Sequence, residues 1–156
     1  MNLTNIDVIS FAQADEIRLD GTFSNSAGNA TVQVAYQSFE PGVTEVILGT
    51  NAPLVADNIR VESSKAITMF NPIVGSNDVV LRSSAPLEIN YDITAGKTLV
   101  LDGDGGILQA VSSTILAPVL EVVNRANVND TGNVELSSAK NDFDEIHIQS
   151  FTSGDI

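Results

Sequence analysis

The chain has 156 residues, of which 43% are apolar and 5% aromatic, with no Trp and no Cys. This composition excludes disorder, disulfides, thiolate metal sites and cysteine nucleophiles, and leaves Val, Ile, Leu and Ala to build the core. Seven basic residues against 20 acidic ones give a net charge of −13, a surface that repels phosphate backbones and rules against a nucleic-acid partner.

The opening Met1-Asn2-Leu3-Thr4-Asn5-Ile6-Asp7 lacks the basic start and apolar centre of a secretory signal. The expectation is a protein not exported by that route, or a piece of a longer exported chain. No run approaches the roughly 18 apolar residues of a membrane span, so no membrane insertion is expected.

Residues 1–56 are β-rich but less regular. Ile6 and Val8 alternate with polar neighbours, as do Ile17 and Leu19. Asp20-Gly21 reads as a turn, and Ser, Asn and Gly fill residues 24–29. Thr31-Val32-Gln33-Val34-Ala35-Tyr36 alternates throughout, Pro41-Gly42 signals a turn, and Val46 and Leu48 mark another strand.

Residues 57–156 are repeat-like. Asp57-Asn58-Ile59-Arg60-Val61-Glu62-Ser63-Ser64 matches Asn77-Asp78-Val79-Val80-Leu81-Arg82-Ser83-Ser84 at an offset of 20. At the same offset Ile67 lies over Leu87, Met69 over Ile89, Ile73 over Ile93 and Gly75 over Ala95. Leu99 and Leu101 follow Val79 and Leu81 by 20, and Leu120 and Val122 follow by 21. Ile107 extends the Leu87 position, and Val128 is placed after it at an offset of 21. The last unit, with Val134, Leu136, Ile146 and Ile148, is out of step. Residues 110–123 have near-helical apolar spacing, but Pro118 and the β-branched content argue against a helix and leave room only for a short helical turn before Pro118.

A strand alternates its faces at every residue. Two or three strands joined by corners make one coil, which buries its inner side chains only when a second coil stacks about 4.8 Å away. The expected fold is therefore all-β: one single-stranded right-handed parallel β-helix over residues 1–156, about six or seven coils of about 20 residues. Its aliphatic ladders would be Ile59/Val79/Leu99/Leu120 and Val61/Leu81/Leu101/Val122. The Ser63 and Ser83 pairs would stack as hydroxyl ladders at a corner. Ile17-Arg18-Leu19, 42 residues before Ile59-Arg60-Val61 and similar in pattern, is placed two coils earlier on the same ladder. A β-sandwich is the alternative, but it does not predict one 20-residue register held over four positions.

Gly132-Asn133-Val134-Glu135-Leu136, then Asn141-Asp142-Phe143, Ile146-His147-Ile148 and Ser153-Gly154-Asp155-Ile156, resemble repeats of the filamentous haemagglutinin-like and autotransporter adhesins. The resemblance is clearest over residues 132–156 and implies a β-helix of a bacterial cell surface or an extracellular protein, serving as stalk, fibre segment or filament subunit. Its implied partners are further copies or neighbouring repeats of a longer chain, and a host or cell-surface glycan or protein. Ser153-Gly154-Asp155-Ile156 reads as the opening of another coil, so end-to-end stacking is expected where such an edge is uncapped.

Catalysis is not expected. The alternative is a carbohydrate-binding or polysaccharide-degrading β-helix, such as a lyase, which needs a Lys or Arg base near bound Ca²⁺, or a tailspike-like hydrolase, which needs paired carboxylates, with Asp78 or Asp92 beside Asp102 as candidates; Tyr36 and Tyr91 alone offer little sugar-stacking surface. No cofactor is required. Asp102-Gly103-Asp104-Gly105-Gly106 is the one sequence that approaches a Ca²⁺ loop, with Asp102 and Asp104 as candidate ligands. The twelfth position of an EF-hand loop would be Ser113, which favours a turn. Asp142, Asp144 and Glu145 read as a solvated acidic corner, and His147 as an outward surface residue. Thr68, Thr94, Thr98, Thr114 and Thr131 share no register, as an ice-binding face would require. The sequons at Asn2, Asn29 and Asn129 occur by chance in Asn- and Thr-rich loops.

Overall fold

Alternating apolar and polar residues turn short segments into strands, and the corners between them set three strands per coil. The computed structural model describes residues 3–4, 8–9, 17–24, 27–36, 45–125 and 132–150. Ile6, the Pro41-Gly42 turn, Val128, Thr131, the sequons at Asn2 and Asn129, and segment 153–156 lie outside these residues.

The first coil holds β1 (Leu3–Thr4), β2 (Val8–Ile9) and β3 (Ile17–Leu19), and the second β4 (Gly21–Ser24), β5 (Thr31–Tyr36) and β6 (Glu45–Leu48). The third holds β7 (Leu54–Ala56), β8 (Asn58–Ser63) and β9 (Ala66–Met69). The fourth holds β10 (Ile73–Gly75), β11 (Val79–Ser83) and β12 (Leu87–Ile89), and the fifth β13 (Ile93–Ala95), β14 (Thr98–Gly103) and β15 (Ile107–Gln109). In the sixth, β16 (Ile115–Asn124) serves two faces and β17 (Val134–Glu135) the third; β18 (Asp142–Ser150) lies over β16.

Among the described residues every ladder is parallel. The first face runs β1-β4-β7-β10-β13-β16 and the second runs back through β14-β11-β8-β5-β2, joined by β16. The third face is split into β3-β6-β9 and β12-β15-β17. This is a parallel β-solenoid, and the antiparallel sandwich is excluded.

Both expected ladders are present. Ile59 pairs with Val79, Val79 with Leu99 and Leu99 with Leu120; Val61, Leu81, Leu101 and Val122 follow in the same register. Val32 and Val34 extend the two rows one coil earlier, and Ile146 and Ile148 one coil later. From Val32 to Leu120 and Val34 to Val122 these side chains are fully buried. The first face adds Leu54, Ile73, Ile93 and Ile115 to the core. One aliphatic layer per coil fills the interior, which is why few aromatics are needed.

Two register expectations and one expectation of side-chain bonding are corrected. Ile17 and Leu19 pair with Val46 and Leu48, and these with Ile67 and Met69, so they belong to the third face, not to the Ile59 ladder. An apolar-Arg-apolar triplet fits any strand with an outward middle residue, so it does not identify a face. The residue paired with Ile107 is Val134, at an offset of 27 instead of 21. Nine residues separate β16 from β17, more than separate strands in the neighbouring coil, and this spacing throws the following strands out of step. Ser63 and Ser83 do stack, but their hydroxyls bond main chain instead of each other. Ser63 Oγ accepts the Lys65 N–H at 3.0 Å; Ser83 Oγ accepts the Ala85 N–H at 3.1 Å and donates to the Lys65 carbonyl at 3.0 Å. A serine at a strand end reaches the amide two residues on more readily than a hydroxyl one coil away.

Pro118 sits inside β16 where the strand passes from the first face to the second. Ile115 and Leu116 pair with β13, whereas residues 119–124 pair with β14. The missing N–H falls at this junction, so the strand tolerates it.

Candidate functional site

The outward positions of the second face form a charged stair. Glu62, Arg82 and Asp102 lie at one ladder position on successive coils, and the strand spacing brings each within reach of the next. Arg60 Nη2 meets Glu62 Oε1 at 2.5 Å, and Arg82 Nη1 reaches the same oxygen at 2.8 Å. Arg82 Nε and Arg125 Nη2 both donate to Asp102 Oδ2 at 2.7 Å. Three guanidinium groups therefore neutralise two carboxylates on an otherwise acidic protein.

This arrangement decides what Asp102 can do. Its side chain is 1% exposed although it points outward, because the two arginines cover it. The positive partners that a cation would supply are already in place. Asp104 sits in the turn after β14, with its N–H bonded to the Ser83 carbonyl at 3.0 Å. Gly105 and Gly106 take the positive φ values of that turn, 89° and 126°. No group of three or more His, Asp or Glu side chains that could hold a metal ion occurs among the described residues.

Most other aspartates near the coil corners act as clamps on main-chain N–H groups. Asp57 accepts the Ala30 N–H at 2.8 Å and the Ser76 hydroxyl at 2.5 Å, joining three coils. Asp78 accepts the Thr98 N–H at 3.3 Å, and Asp92 the Thr114 N–H at 2.7 Å. Asp20 accepts both the side-chain and main-chain N–H of Asn51, at 2.8 and 3.1 Å. The side-chain bond from Asn51 is the main cause holding the Asp20 carboxyl below its ordinary value. Asp92 shares its corner with Pro53, Pro72 and Thr114, whose carbonyls, like its own, accept the first N–H of a neighbouring strand. The two prolines have no N–H to satisfy there, and Thr114 gives its own to Asp92.

Asp78, Asp92 and Asp102 are not brought together. Asp78 and Asp92 occupy different corners, and Asp102 lies within the stair. At the far end of the stack, Asp142 and Asp144 line a hollow of about 280 Å³ with Leu116 and Pro118. Glu145 instead bonds His147, its Oε1 lying 2.6 Å from Nε2. His147 is exposed, as its alternation between Ile146 and Ile148 requires. The Glu145 hydrogen bond and charge hold its imidazole above the ordinary value.

Where the inner rows reach β18 they lose cover. Ile146 is 48% and Ile148 41% exposed, whereas Leu120 and Val122 directly beneath are buried. Among the described residues, β18 pairs only with β16.

The stair was missed in the sequence reading although its signal was there. Glu62, Arg82 and Asp102 are acid, base and acid at the same offset of 20 that revealed the inner ladders. No protein-family model, curated protein or solved structure matches this chain.

Proposed function

We propose that this chain is a non-catalytic structural and adhesive β-solenoid of a bacterial cell surface or extracellular fibre. It serves as a stalk, fibre segment or filament subunit, and its partners are other coils and a surface ligand. The observation that carries this reading is the pair Ile146 and Ile148. They continue the two core rows in register yet stand half open, so among the described residues β18 offers an apolar layer on which a further coil can stack. The use of Asp57, Asp78, Asp92 and Asp102 in holding coils together adds support, since their carboxylates have structural work.

Sedimentation velocity over a range of concentrations, with electron microscopy of the same samples, tests the stacking. The wild type should form rods with concentration, and the double variant Ile146→Lys/Ile148→Lys should stay short while keeping its β-sheet circular dichroism. A wild type that remains monomeric throughout removes end-to-end stacking. Immunogold labelling of intact source cells tests the location, and label confined to the cell interior removes the surface assignment.

A further inference from the structure

The third face has a seam. β9 and β12 lie on successive coils and share no ladder, although the same coils are bonded through β7-β10 and β8-β11 on the other faces. The sequence before β12 accounts for this. The Ala85 N–H turns back to Ser83 Oγ, Pro86 has no N–H, and the Leu87 N–H goes to Gly106 on the coil beyond. The Ile89 carbonyl also serves the coil beyond, through the Ala110 N–H. By strand alternation the main-chain N–H and carbonyl of Glu88 point toward β9, where they have no ladder partner.

The seam opens as a cleft of about 260 Å³. One part of its lining is apolar, from Ala66, Ala85 and Pro86; the other is polar, from Thr68, Glu88 and Asn90. Thr68 is held by a hydrogen bond to Glu45. Glu88 and Asn90 are exposed, and their side chains have no partner among the described residues. Phe70 follows β9 and Tyr91 follows Asn90, one register position apart at the same corner, and they are 48% and 38% exposed.

These features select a ligand class. The cleft is of the size of one sugar ring, below the usual range for drug-sized ligands. An apolar wall beside a carboxylate and an amide matches a pyranose, which has a C–H face and a hydroxyl edge. The exposed aromatic rings offer stacking for an adjoining sugar. Glu45 and Glu88 repel anionic sugars. A peptide strand does not fit, because inserting one needs about 4.8 Å on each side between coils tied together on two other faces. We propose that the seam between β9 and β12 binds a neutral hexopyranose unit of a surface glycan. Glu88 accepts from adjacent hydroxyls and Asn90 donates, while Phe70 and Tyr91, next in the chain to the lining residues Met69 and Asn90, offer their exposed rings to an adjoining sugar. This rests on the adhesive reading above and names its ligand.

The test is a nuclear magnetic resonance titration of the full chain with the methyl glycosides of glucose, galactose and mannose, and with sialyllactose as the anionic probe. At least one neutral glycoside should shift amides of residues 66–70 and 85–91. Glu88→Ala and Tyr91→Ala should each weaken that binding by about tenfold with the circular dichroism unchanged, and Glu135→Ala should leave it intact. Absence of binding by every neutral glycoside, shifts confined to another surface, or preference for sialyllactose overturns the proposal. Rod formation measured on the same preparation separates the two ideas: rods without sugar binding sink the seam site and leave the structural reading standing. Release of a sugar product from a polysaccharide sinks the non-catalytic reading itself.

Discussion

Asp102 and Arg82 stand 20 residues apart in sequence and face each other on successive coils, with Arg82 Nε 2.7 Å from Asp102 Oδ2. Arg125 reaches the same oxygen from the other side. A carboxylate covered in this way depends on both donors. Asp102→Ala should cost about 1–3 kcal/mol, read as a lower urea midpoint with an unchanged slope. Arg60→Ala, at the solvated end of the stair, should cost less than about 0.5 kcal/mol and lose even that in high salt.

The inner rows carry the stability. Leu81→Ala or Leu101→Ala removes a fully buried side chain from a layer whose neighbours are fixed by ladders on both sides. Each should cost about 2–5 kcal/mol in a denaturant titration. Leu108→Ala, on an outward exposed position, should stay within about 0.5 kcal/mol.

Gly96 is fixed by crowding, not by its backbone angles. A Cβ there would lie 2.0 Å from the Ser76 carbonyl oxygen of the preceding coil. Because the obstacle is main chain, the coils themselves would have to part, and Gly96→Ala should cost about 3 kcal/mol. Gly28 has no atom within 4 Å of its added Cβ but sits at φ +69°, so Gly28→Ala should cost about 1 kcal/mol through strain alone. Thermal melts of the two variants give the comparison.

The single imidazole reports on β18. His147 should titrate above 6.5, and Glu145→Gln should bring its midpoint back down, since the Glu145 hydrogen bond is the main cause of the rise. A raised folded value means that the contact's contribution to stability is complete below the unfolded value and fades as pH rises through the folded one. Both residues are well exposed, so the nuclear magnetic resonance midpoint will move more clearly than the melting temperature.

The inner architecture could be read from sequence where loops kept a constant length. Ile59, Val79 and Leu99 recur at an offset of 20, and the side-chain period of two made each position unambiguous. The reading failed where loop length changed: Val32 precedes Ile59 by 27 residues, and Val134 follows Ile107 by 27. There the offset no longer identifies the face, as Ile17 illustrates. The polar interior was also hidden. Gln109 follows Ile89 in a core row, and its amide exchanges hydrogen bonds of 2.8 and 2.7 Å with Asn141. That pairing spans 32 residues, so no local pattern announces it. The seam likewise depends on where the Ala85 and Leu87 N–H groups point on either side of Pro86, which Pro86 hints at but does not decide.

The seam has a mechanical side. The third and fourth coils are joined by ladders on two faces, whereas the fourth and fifth are joined on three. Tension is therefore shared among fewer bonds at that boundary than at the next, and it should open before the fourth and fifth coils part. A fibre made of such units would carry a breakaway point at the same place in every subunit, yielding by a short opening before any core layer is torn.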